Sequence, residues 1–422
     1  MLPVQAPIDL ERHARRIVVV LFGAMSLGSA ASIAVATVSP IVGADLAGRS
    51  SYAGVPSAIV LLGSAASAPL WGAAVDRLGR RSALSLGLVA GIAGSALAGG
   101  ALIAHSLVGF LAGLLLTGGA SSALQLSRFA AAEVHAPEAR GRAIANVVLA
   151  GTVGAVLGPV LVGPAGTAAA RIGFNELAGP FAAGVVLYLL AAVATMLWLR
   201  PDPRELGRAI TALYPDAAGE SGSTRSVATI LRQPASLVAV SAMVVGQMVM
   251  VMLMVITSLH MRDHHHGLGS ISAVISAHTL GMFAFSIVSG RMADQWGRGP
   301  VILLGAGLLA LAGMAAPISP DVLPLAVSLF LLGLGWNLCF VGGSSLLADQ
   351  LRSEERGRTQ GVNDLLIGLG SAVGSLGSGV VFAAVGYSVM GAIGAAFALV
   401  PFGMALAWMR RGRPRPAMAP PA

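Results

Sequence analysis

The chain has 422 residues, of which 56% are hydrophobic and only 10% are charged. This composition excludes an ordinary soluble enzyme, because soluble domains carry about 25% charged residues. The formal net charge of +8 would suit a nucleic-acid-binding protein, but its placement in short connections between apolar runs indicates membrane topology instead.

Twelve apolar runs of about 18 to 27 residues follow one another, and each is long enough to cross a bilayer as a helix. The first run is too long for a cleavable signal, and eleven more follow it. We therefore predict an all-α integral membrane protein with twelve transmembrane helices. The predicted spans are 17–43, 52–74, 83–105, 107–132, 143–165, 177–199, 236–259, 270–290, 300–317, 322–346, 360–383 and 386–409.

The basic residues predict the orientation of these helices. The chain has no lysine, and of its 26 arginines only Arg49, Arg171 and Arg262 fall in the odd-numbered connections. The other 23 lie in the termini and the even-numbered connections, so the positive-inside rule predicts that both termini are cytoplasmic. Heavy use of alanine and glycine without lysine points to a GC-rich genome. We therefore expect a multi-pass protein of a bacterial inner membrane, with no nucleic-acid partner.

A polar stretch at 200–235 predicts a cytoplasmic linker between two six-helix bundles, 1–199 and 236–422, the second ending in a short basic tail. Internal repetition supports this division. The run Gly72-Ala-Ala-Val-Asp76-Arg77-Leu-Gly79-Arg80-Arg81 recurs 218 residues later as Gly290-Arg291-Met-Ala-Asp294-Gln-Trp-Gly297-Arg298. The run Arg140-Gly-Arg142 recurs 216 residues later as Arg356-Gly-Arg358. Two motifs with nearly equal offsets indicate a duplicated bundle.

The first of these motifs resembles the signature loop of the major facilitator superfamily, Gly-x-x-x-Asp-Arg-x-Gly-Arg-Arg, and the resemblance covers essentially the whole chain. It implies two bundles that rock around a site near the membrane midplane, with the loop as a cytoplasmic latch. In that latch Gly72 permits close helix approach, Asp76 pairs with an arginine or a helix N-terminus, and Gly79 makes the turn. The second copy has Gln295 and Gly299 where the first has arginines, so we expect a weaker latch there. The implied latch residues are Gly72, Asp76, Arg77, Gly79, Arg80, Arg81, Gly290, Asp294, Gly297 and Arg298.

Two pairs of soft metal ligands lie on predicted spans seven and eight. Met250 and Met254 form a Met-x-x-x-Met pair, and His278 and Met282 form a His-x-x-x-Met pair. The four-residue spacing stacks each pair on one helix face, and thioether sulfur with imidazole suits a monovalent copper ion. At about 1.5 Å per residue, Met250 and His278 lie at equal depth, with Met254 shallower and Met282 deeper. The alternative interpretation is flexible methionine packing, with a histidine that is a hydrogen-bonded packing residue or a proton relay.

The order and spacing of these pairs resemble the motifs of CcoA-like bacterial copper importers. These are major facilitator transporters that deliver copper for the haem–copper centre of cbb-type cytochrome oxidases. The resemblance implies that Met250, Met254, His278 and Met282 carry copper, as the cuprous ion. Related members of that group are linked to riboflavin, so the ligand motifs, and not membership of the group, favour copper.

The predicted outer connection between spans seven and eight is rich in histidine. We expect it to capture copper and pass it to Met254, with Met243 as a deeper contact on the exit side; a solvated polar turn is the alternative. The candidate capture and exit residues are Met243, His260, Met261, His264, His265 and His266.

Asp364, near the cytoplasmic start of span eleven, is a candidate for proton coupling, and a structural ion pair with Arg77 or Arg128 is the alternative. The sequence has no zinc-type cluster, phosphate-binding loop or nucleophile triad, so we predict that the protein is not an enzyme.

The sequence therefore predicts a copper importer that works by alternating access, with copper as its transported substrate and no permanently bound cofactor. The expected partners are the lipid bilayer and a copper chaperone that receives the ion, and the expected state is a monomer. Two alternatives stay open: a major facilitator transporter of riboflavin or a drug-like organic cargo, and a membrane copper sensor that does not translocate the ion.

Overall fold

The computed structural model describes residues 7–135, 139–211, 225–351 and 355–411. Within these ranges the regular structure is entirely helical, which confirms the predicted all-α class. Short 3-10 helices lie at Ser50–Gly54 and Glu176–Ala178. The α-helices are α1 (Pro7–Ala47), α2 (Val55–Leu78), α3 (Arg80–Ile103), α4 (Leu107–Glu133), α5 (Arg140–Arg171), α6 (Gly179–Trp198), α7 (Pro203–Thr211), α8 (Val227–Leu231), α9 (Pro234–Asp263), α10 (Leu268–Phe283), α11 (Ser286–Trp296), α12 (Arg298–Ala315), α13 (Val322–Ala348) and α14 (Arg356–Arg411).

Eleven helical segments in the described part of the chain are long and apolar enough to cross a membrane, and the last of them contains two crossings. Helix α14 has 56 residues, which correspond to about 84 Å, whereas a bilayer core is about 30 Å thick. Gly386 interrupts it with a φ of 75°, in the left-handed region that glycine adopts without a steric penalty. The predicted span 360–383 ends just before this glycine, and the predicted span 386–409 begins at it.

The contacts of α14 show that the chain reverses at Gly386. Before the glycine, Val244 and Met248 of α9 pack in turn against Gly370 and Gly374, so this part runs parallel to α9. After it, Gly299 and Gly313 of α12 pack against Met409 and Gly391, so this part runs antiparallel to α12. Helix α9 runs antiparallel to α13, since Met243 contacts Gly343 and Gln247 contacts Trp336. Helix α12 does so too, since Ile302 packs against Gly342 and Leu309 against Gly335. The two parts of α14 therefore cross in opposite directions.

The described residues form two compact units. One comprises 7–211 together with Val255–Ser276, and the other comprises 225–254 and 277–411. In the first unit, Arg262 pairs with Asp45 at 2.5 Å, and the Ser272 hydroxyl donates to the carbonyl of Pro159. The end of α9 and the start of α10 thus pack with α1 and α5. The division into bundles 1–199 and 236–422 stays a prediction.

The predicted linker at 200–235 is partly helical, since it contains α7 and α8. Its first part is bound to the turn between α2 and α3: the Asp202 carboxylate accepts hydrogen bonds from the backbone N–H groups of Arg80 (3.2 Å) and Arg81 (3.0 Å). Arg204 donates to the carbonyl oxygen of Asp76 at 2.6 Å. In the second unit, Arg225 forms an ion pair with the buried Glu355, with 2.6 Å between Nη2 and Oε2. This hydrogen bond raises the pKa of Arg225.

Candidate functional site

The two copies of the repeated loop make the same turn. Gly79 has a φ of 85° and Gly297 a φ of 90°, and each ends one helix and precedes the next. The arginine after each glycine reaches an acid at the end of a later helix: Arg80 pairs with Glu133 of α4, and Arg298 pairs with Asp349, which follows α13. The repetition in sequence is therefore also a repetition of local structure.

Two implied roles in the latch differ from the structure. Among the described residues, the exposed carboxylate of Asp76 makes no hydrogen bond, and Asp202 occupies the N-terminus of α3 instead. A Cβ on Gly72 or Gly290 would meet nothing within 4 Å, so neither glycine serves a close helix approach here. The carboxylate at the N-terminus of α3 therefore comes from Asp202, in the segment after α6, and not from the acidic residue of the motif itself.

The remaining latch residues lie at helix ends or turns. Arg77 is exposed in the last turn of α2, and Arg81 donates to the carbonyl of Met196 at 2.5 Å. In the second copy, Arg298 also pairs at 2.9 Å with Asp294, which lies four residues earlier in α11. The side chains of Arg140, Arg142 and Arg356 lie outside the described part of the structure.

His278 is fully buried, and the hydrogen bond that it makes defines which nitrogen is free. Its Nδ1 lies 2.9 Å from the carbonyl oxygen of Leu329 on α13. Because a carbonyl can only accept, Nδ1 carries the proton and Nε2 keeps its lone pair. Among the described residues, Nε2 has no hydrogen-bond partner. A buried imidazole held in this way presents a ready-made ligand nitrogen, as metal-binding histidines do when a backbone carbonyl fixes the tautomer.

Helix α13 relates the levels of the two ligand pairs. It runs antiparallel to α9, with contacts that join Met243 to Gly343, Gly246 to Cys339, and Gln247 to Trp336. Continued at this register, Met250 reaches the level of about Gly333, and Met254 that of about Leu329. Met250 is 5% exposed, and Met254 is half-buried.

Helix α10 runs parallel to α13 and meets the same turns. His278 bonds to Leu329, a Cβ on Gly333 would overlap the carbonyl oxygen of His278, and Asn337 donates to the carbonyl of Met282 at 2.7 Å. The imidazole of His278 therefore lies level with Met254, and Met282 lies level with Met250, one turn further along α13. Measured along α13, the four predicted ligands thus lie at two levels, about one helical turn apart.

This pairing corrects the predicted depths by about one helical turn. Counting residues from the helix ends made Met250 level with His278, whereas the register through α13 makes Met254 level with His278. The count failed because it assumed that α9 and α10 meet the membrane surface at Leu259 and Gly269. Helix α9 continues to Asp263, and α10 begins at Leu268.

Helix α10 ends within the predicted span 270–290. Ala284 and Phe285 lie between α10 and α11 and are not helical. Without the helix, the Met282 carbonyl would lack a hydrogen-bond donor inside a membrane. Asn337 satisfies that carbonyl and also bonds to the hydroxyls of Ser286 (2.9 Å) and Ser289 (2.5 Å). A specific polar side chain of α13, Asn337, therefore stabilises the break between α10 and α11 and holds the backbone of Met282 in place.

An aromatic group beside these turns was not predicted as part of the site. Trp336 donates from Nε1 to Gln247 at 2.6 Å, stacks on Phe340 at a centroid distance of 5.1 Å, and meets Phe283 edge-on at 6.1 Å. All three rings are partly exposed. A sequence signal existed, because Trp336 and Phe340 share a helix face at four-residue spacing, but only tertiary packing brings Phe283 to them.

The histidine-rich segment has one pair of neighbouring rings. His260 and His264, one turn apart at the end of α9, have ring centroids 4.4 Å apart, and His264 Nδ1 lies 2.9 Å from the carbonyl of His260. His265 has a φ of 62° and is exposed, and His266 is half-buried. Met261 is 0% exposed, so its sulfur does not face the solvent. The structure therefore brings together His260 and His264, and it excludes Met261 from a surface capture role.

The proposed exit and coupling residues lie further along α9 and α14. Met243 is buried, and its sulfur accepts a hydrogen bond from Asn363 at 3.6 Å. Asp364 is exposed near the start of α14. No group of three or more His, Cys, Asp or Glu side chains that could hold a metal occurs within the described ranges.

Comparison with known proteins identifies the family. The model of the Major Facilitator Superfamily matches residues 20–257 and 235–422. The chain is 34% identical over 375 residues to the uncharacterized MFS-type transporter YdeG of Bacillus subtilis, covering 88% of this chain and 87% of that protein. It is 29% identical over 354 residues to the riboflavin transporter RfnT of Brucella anthropi, covering 84% and 86%.

Solved structures show the same fold. An inward-facing bacterial homolog of the human lysosomal transporter Spinster matches with a TM-score of 0.72 and 14% identity, covering 95% of this chain and 98% of that one. The nucleoside transporter NupG matches with a TM-score of 0.68 and 14% identity, covering 96% and 100%. At this identity the likeness concerns fold alone. With the family model spanning both halves and a relative above 30% identity along most of its length, the chain belongs to the Major Facilitator Superfamily of membrane transporters.

Proposed function

We propose that this transporter carries copper, as the cuprous ion, on Met250, Met254, His278 and Met282. One observation carries the proposal: the Nε2 lone pair of the fully buried His278 has no partner among the described residues, and Met254 lies at about the same level along α13. A buried polar atom without a partner costs about 1–3 kcal/mol, so it calls for a ligand. The resemblance of both ligand pairs to CcoA-like importers supports the same cargo.

The chemistry of the four side chains suits a soft monovalent ion. Imidazole and thioether are neutral, so they stabilise a single positive charge in a membrane interior without adding a buried anion. Hard divalent ions prefer carboxylate oxygens, and these four positions supply none. Met254 with His278 and Met250 with Met282 form two levels about one helical turn apart. An ion could exchange the ligands of one level for those of the other, as a cargo that must leave again requires.

The wider assignment follows from this cargo and from the sequence. We infer uptake across a bacterial inner membrane by a monomer with cytoplasmic termini, for delivery to a copper chaperone and to assembly of a haem–copper oxidase. His260 and His264 are the proposed capture pair. Met243, Asp364, His265 and His266 stay candidates for exit, coupling and capture. The protein acts as a carrier and not as an enzyme.

Uptake of radioactive copper tests the proposal directly. Cells producing the wild type should accumulate copper, and His278→Ala should reduce that accumulation to the background of cells without the transporter. His105→Asn is the matched control, since it removes an exposed loop histidine at a position with φ 52°, which asparagine tolerates. Equal uptake by the wild type and His278→Ala, with equal amounts in the membrane, would refute the site.

Riboflavin is a second candidate cargo, which a relative and one structural feature favour. The relative RfnT is a riboflavin transporter, and the partly exposed rings of Phe283, Trp336 and Phe340 offer a stacking surface beside the Gln247 amide. Growth of a riboflavin-requiring strain on limiting riboflavin separates the two cargoes. Rescue that Trp336→Leu abolishes and His278→Ala leaves intact would favour riboflavin over copper.

A copper sensor without transport activity is separated by reconstitution. Purified protein in vesicles should move copper into the lumen if it is a carrier. Copper bound to the protein with no copper in the lumen would favour the sensor.

A further inference from the structure

We propose that a groove between α1 and α6 binds one anionic phospholipid of the membrane leaflet at their arginine-rich end. The groove has a volume of about 510 Å³. Two arginines and a tryptophan lie at one end, and small or aliphatic residues line the rest. The lining residues are Arg15, Arg16, Val19, Val20, Gly23, Leu27, Ala194 and Trp198.

The charged end suits a phosphate headgroup. Arg15 and Arg16 are both exposed, and among the described residues Arg16 makes no ion pair. Arg15 has only a surface pair with Glu11 at 2.9 Å, in which both side chains are at least 70% exposed, and such pairs contribute little. The end of the groove therefore keeps a net positive charge. Trp198, 53% exposed, adds the amphipathic ring that is typical of the headgroup level.

The apolar remainder suits an acyl chain and argues against a soluble anion. From Arg15 to Leu27 the groove follows α1 for twelve residues, about 18 Å along a helix that is long and apolar enough to cross the membrane. Val19, next to the arginines, is 70% exposed. A free phosphate would use only the charged end, whereas a lipid would fill both parts. Basic pockets between transmembrane helices bind anionic headgroups in this manner.

The groove also offers a substitution that blocks the tail without disturbing the fold. A Cβ on Gly23 would meet nothing within 4 Å, so Gly23→Leu should fill the groove and leave the packing of α1 intact. Gly403, which is exposed on the last helix, is equally open, and Gly403→Leu is the matched control. For the charged end, Arg15→Gln with Arg16→Gln is matched by Arg410→Gln with Arg411→Gln, another exposed arginine pair at a helix end.

Brominated lipids that quench tryptophan on contact provide the measurement. Purified full-length protein in detergent is titrated with brominated phosphatidylglycerol or with brominated phosphatidylcholine, and Trp198→Phe identifies the part of the quenching that arises in the groove. We expect tighter binding of phosphatidylglycerol. That preference should weaken about fivefold for each arginine removed, and Gly23→Leu should abolish the Trp198-dependent quenching.

Two outcomes would overturn the proposal. Equal quenching by both lipids, unchanged in the Arg15/Arg16 and Gly23 variants, would mean that Trp198 meets only ordinary surrounding lipid. If glycerol phosphate without acyl chains competed as well as phosphatidylglycerol, and Gly23→Leu had no effect, the site would be one for a soluble anion.

Discussion

At the proposed ligand positions, sulfur can be separated from volume by replacing methionine with leucine, which membrane helices and cores tolerate at a cost below about 1.5 kcal/mol. We expect Met250→Leu with Met254→Leu to remove copper uptake while the protein stays folded. Met248→Leu with Met252→Leu is the control, because these residues lie on another face of α9, against Gly374 and Gly394. Copper uptake that fell equally in both double variants would contradict the ligand assignment.

Single residues also show what a sequence can reveal about a site. Four-residue spacing correctly predicts which side chains share a face, since helical geometry alone determines it. The protonated nitrogen of His278 depends on the carbonyl of Leu329, which is 51 residues away, and no local pattern contains that contact. The capping of α3 by Asp202, about 120 residues along the chain from it, escaped prediction for the same reason.

At the scale of elements, the contact between α10 and α13 decides whether the site can exist. A Cβ on Gly333 would overlap the His278 carbonyl, and one on Gly281 would overlap the Phe330 carbonyl, so the two helices touch backbone to backbone. We expect Gly333→Ala to force the two helices apart, to lower the free energy of unfolding by roughly 1–3 kcal/mol, and to abolish copper uptake.

The control for this prediction is Gly368→Ala, since a Cβ on Gly368 meets nothing within 4 Å. Thermal unfolding in detergent and copper uptake are measured for both variants. A Gly333→Ala protein as stable and active as the wild type would mean that the close approach has no role in the site.

Helix boundaries were predictable where composition changes sharply and less so elsewhere. The predicted span 107–132 nearly coincides with α4, and Gly386 lies at the predicted boundary between the last two spans. The charged residues before span one nevertheless continue α1 back to Pro7, because no proline or glycine interrupts them. The break after Phe283 was not predicted, since Asn337 on another helix supports it.

At the scale of the whole molecule, the polar stretch between α6 and α9 is bonded to the rest of the chain at both of its described ends. Its first end bonds to the turn after α2 through Asp202 and Arg204, and its second end bonds to Glu355 through Arg225. The sequence predicted a linker here from its proline, glycine and serine content. A polar composition indicates that a segment does not cross the membrane. It does not reveal the hydrogen bonds and the ion pair that attach this segment to its neighbours.

We expect Glu355→Gln to release the second attachment and to make the chain more sensitive to trypsin. In the wild type, Arg225 bonds to both Glu355 and the carbonyl of Gln350, so its side chain is withheld from the protease. The variant should be cut faster after Arg225, as mass spectrometry of the fragments would show. Asp321→Asn, at an exposed acid before α13, is the control, and identical cleavage in both variants would contradict this role.

The single thiol of the chain has a practical consequence. Cys339 is free and 0% exposed, and it faces Gly246 inside the second unit. A water-soluble maleimide should therefore leave the folded native protein unmodified, so no cysteine has to be removed before probes are attached. One cysteine introduced at a chosen helix position would report the solvent access of that position alone, and repeating this along α9 would test whether the face of Met250 and Met254 lines an aqueous pathway.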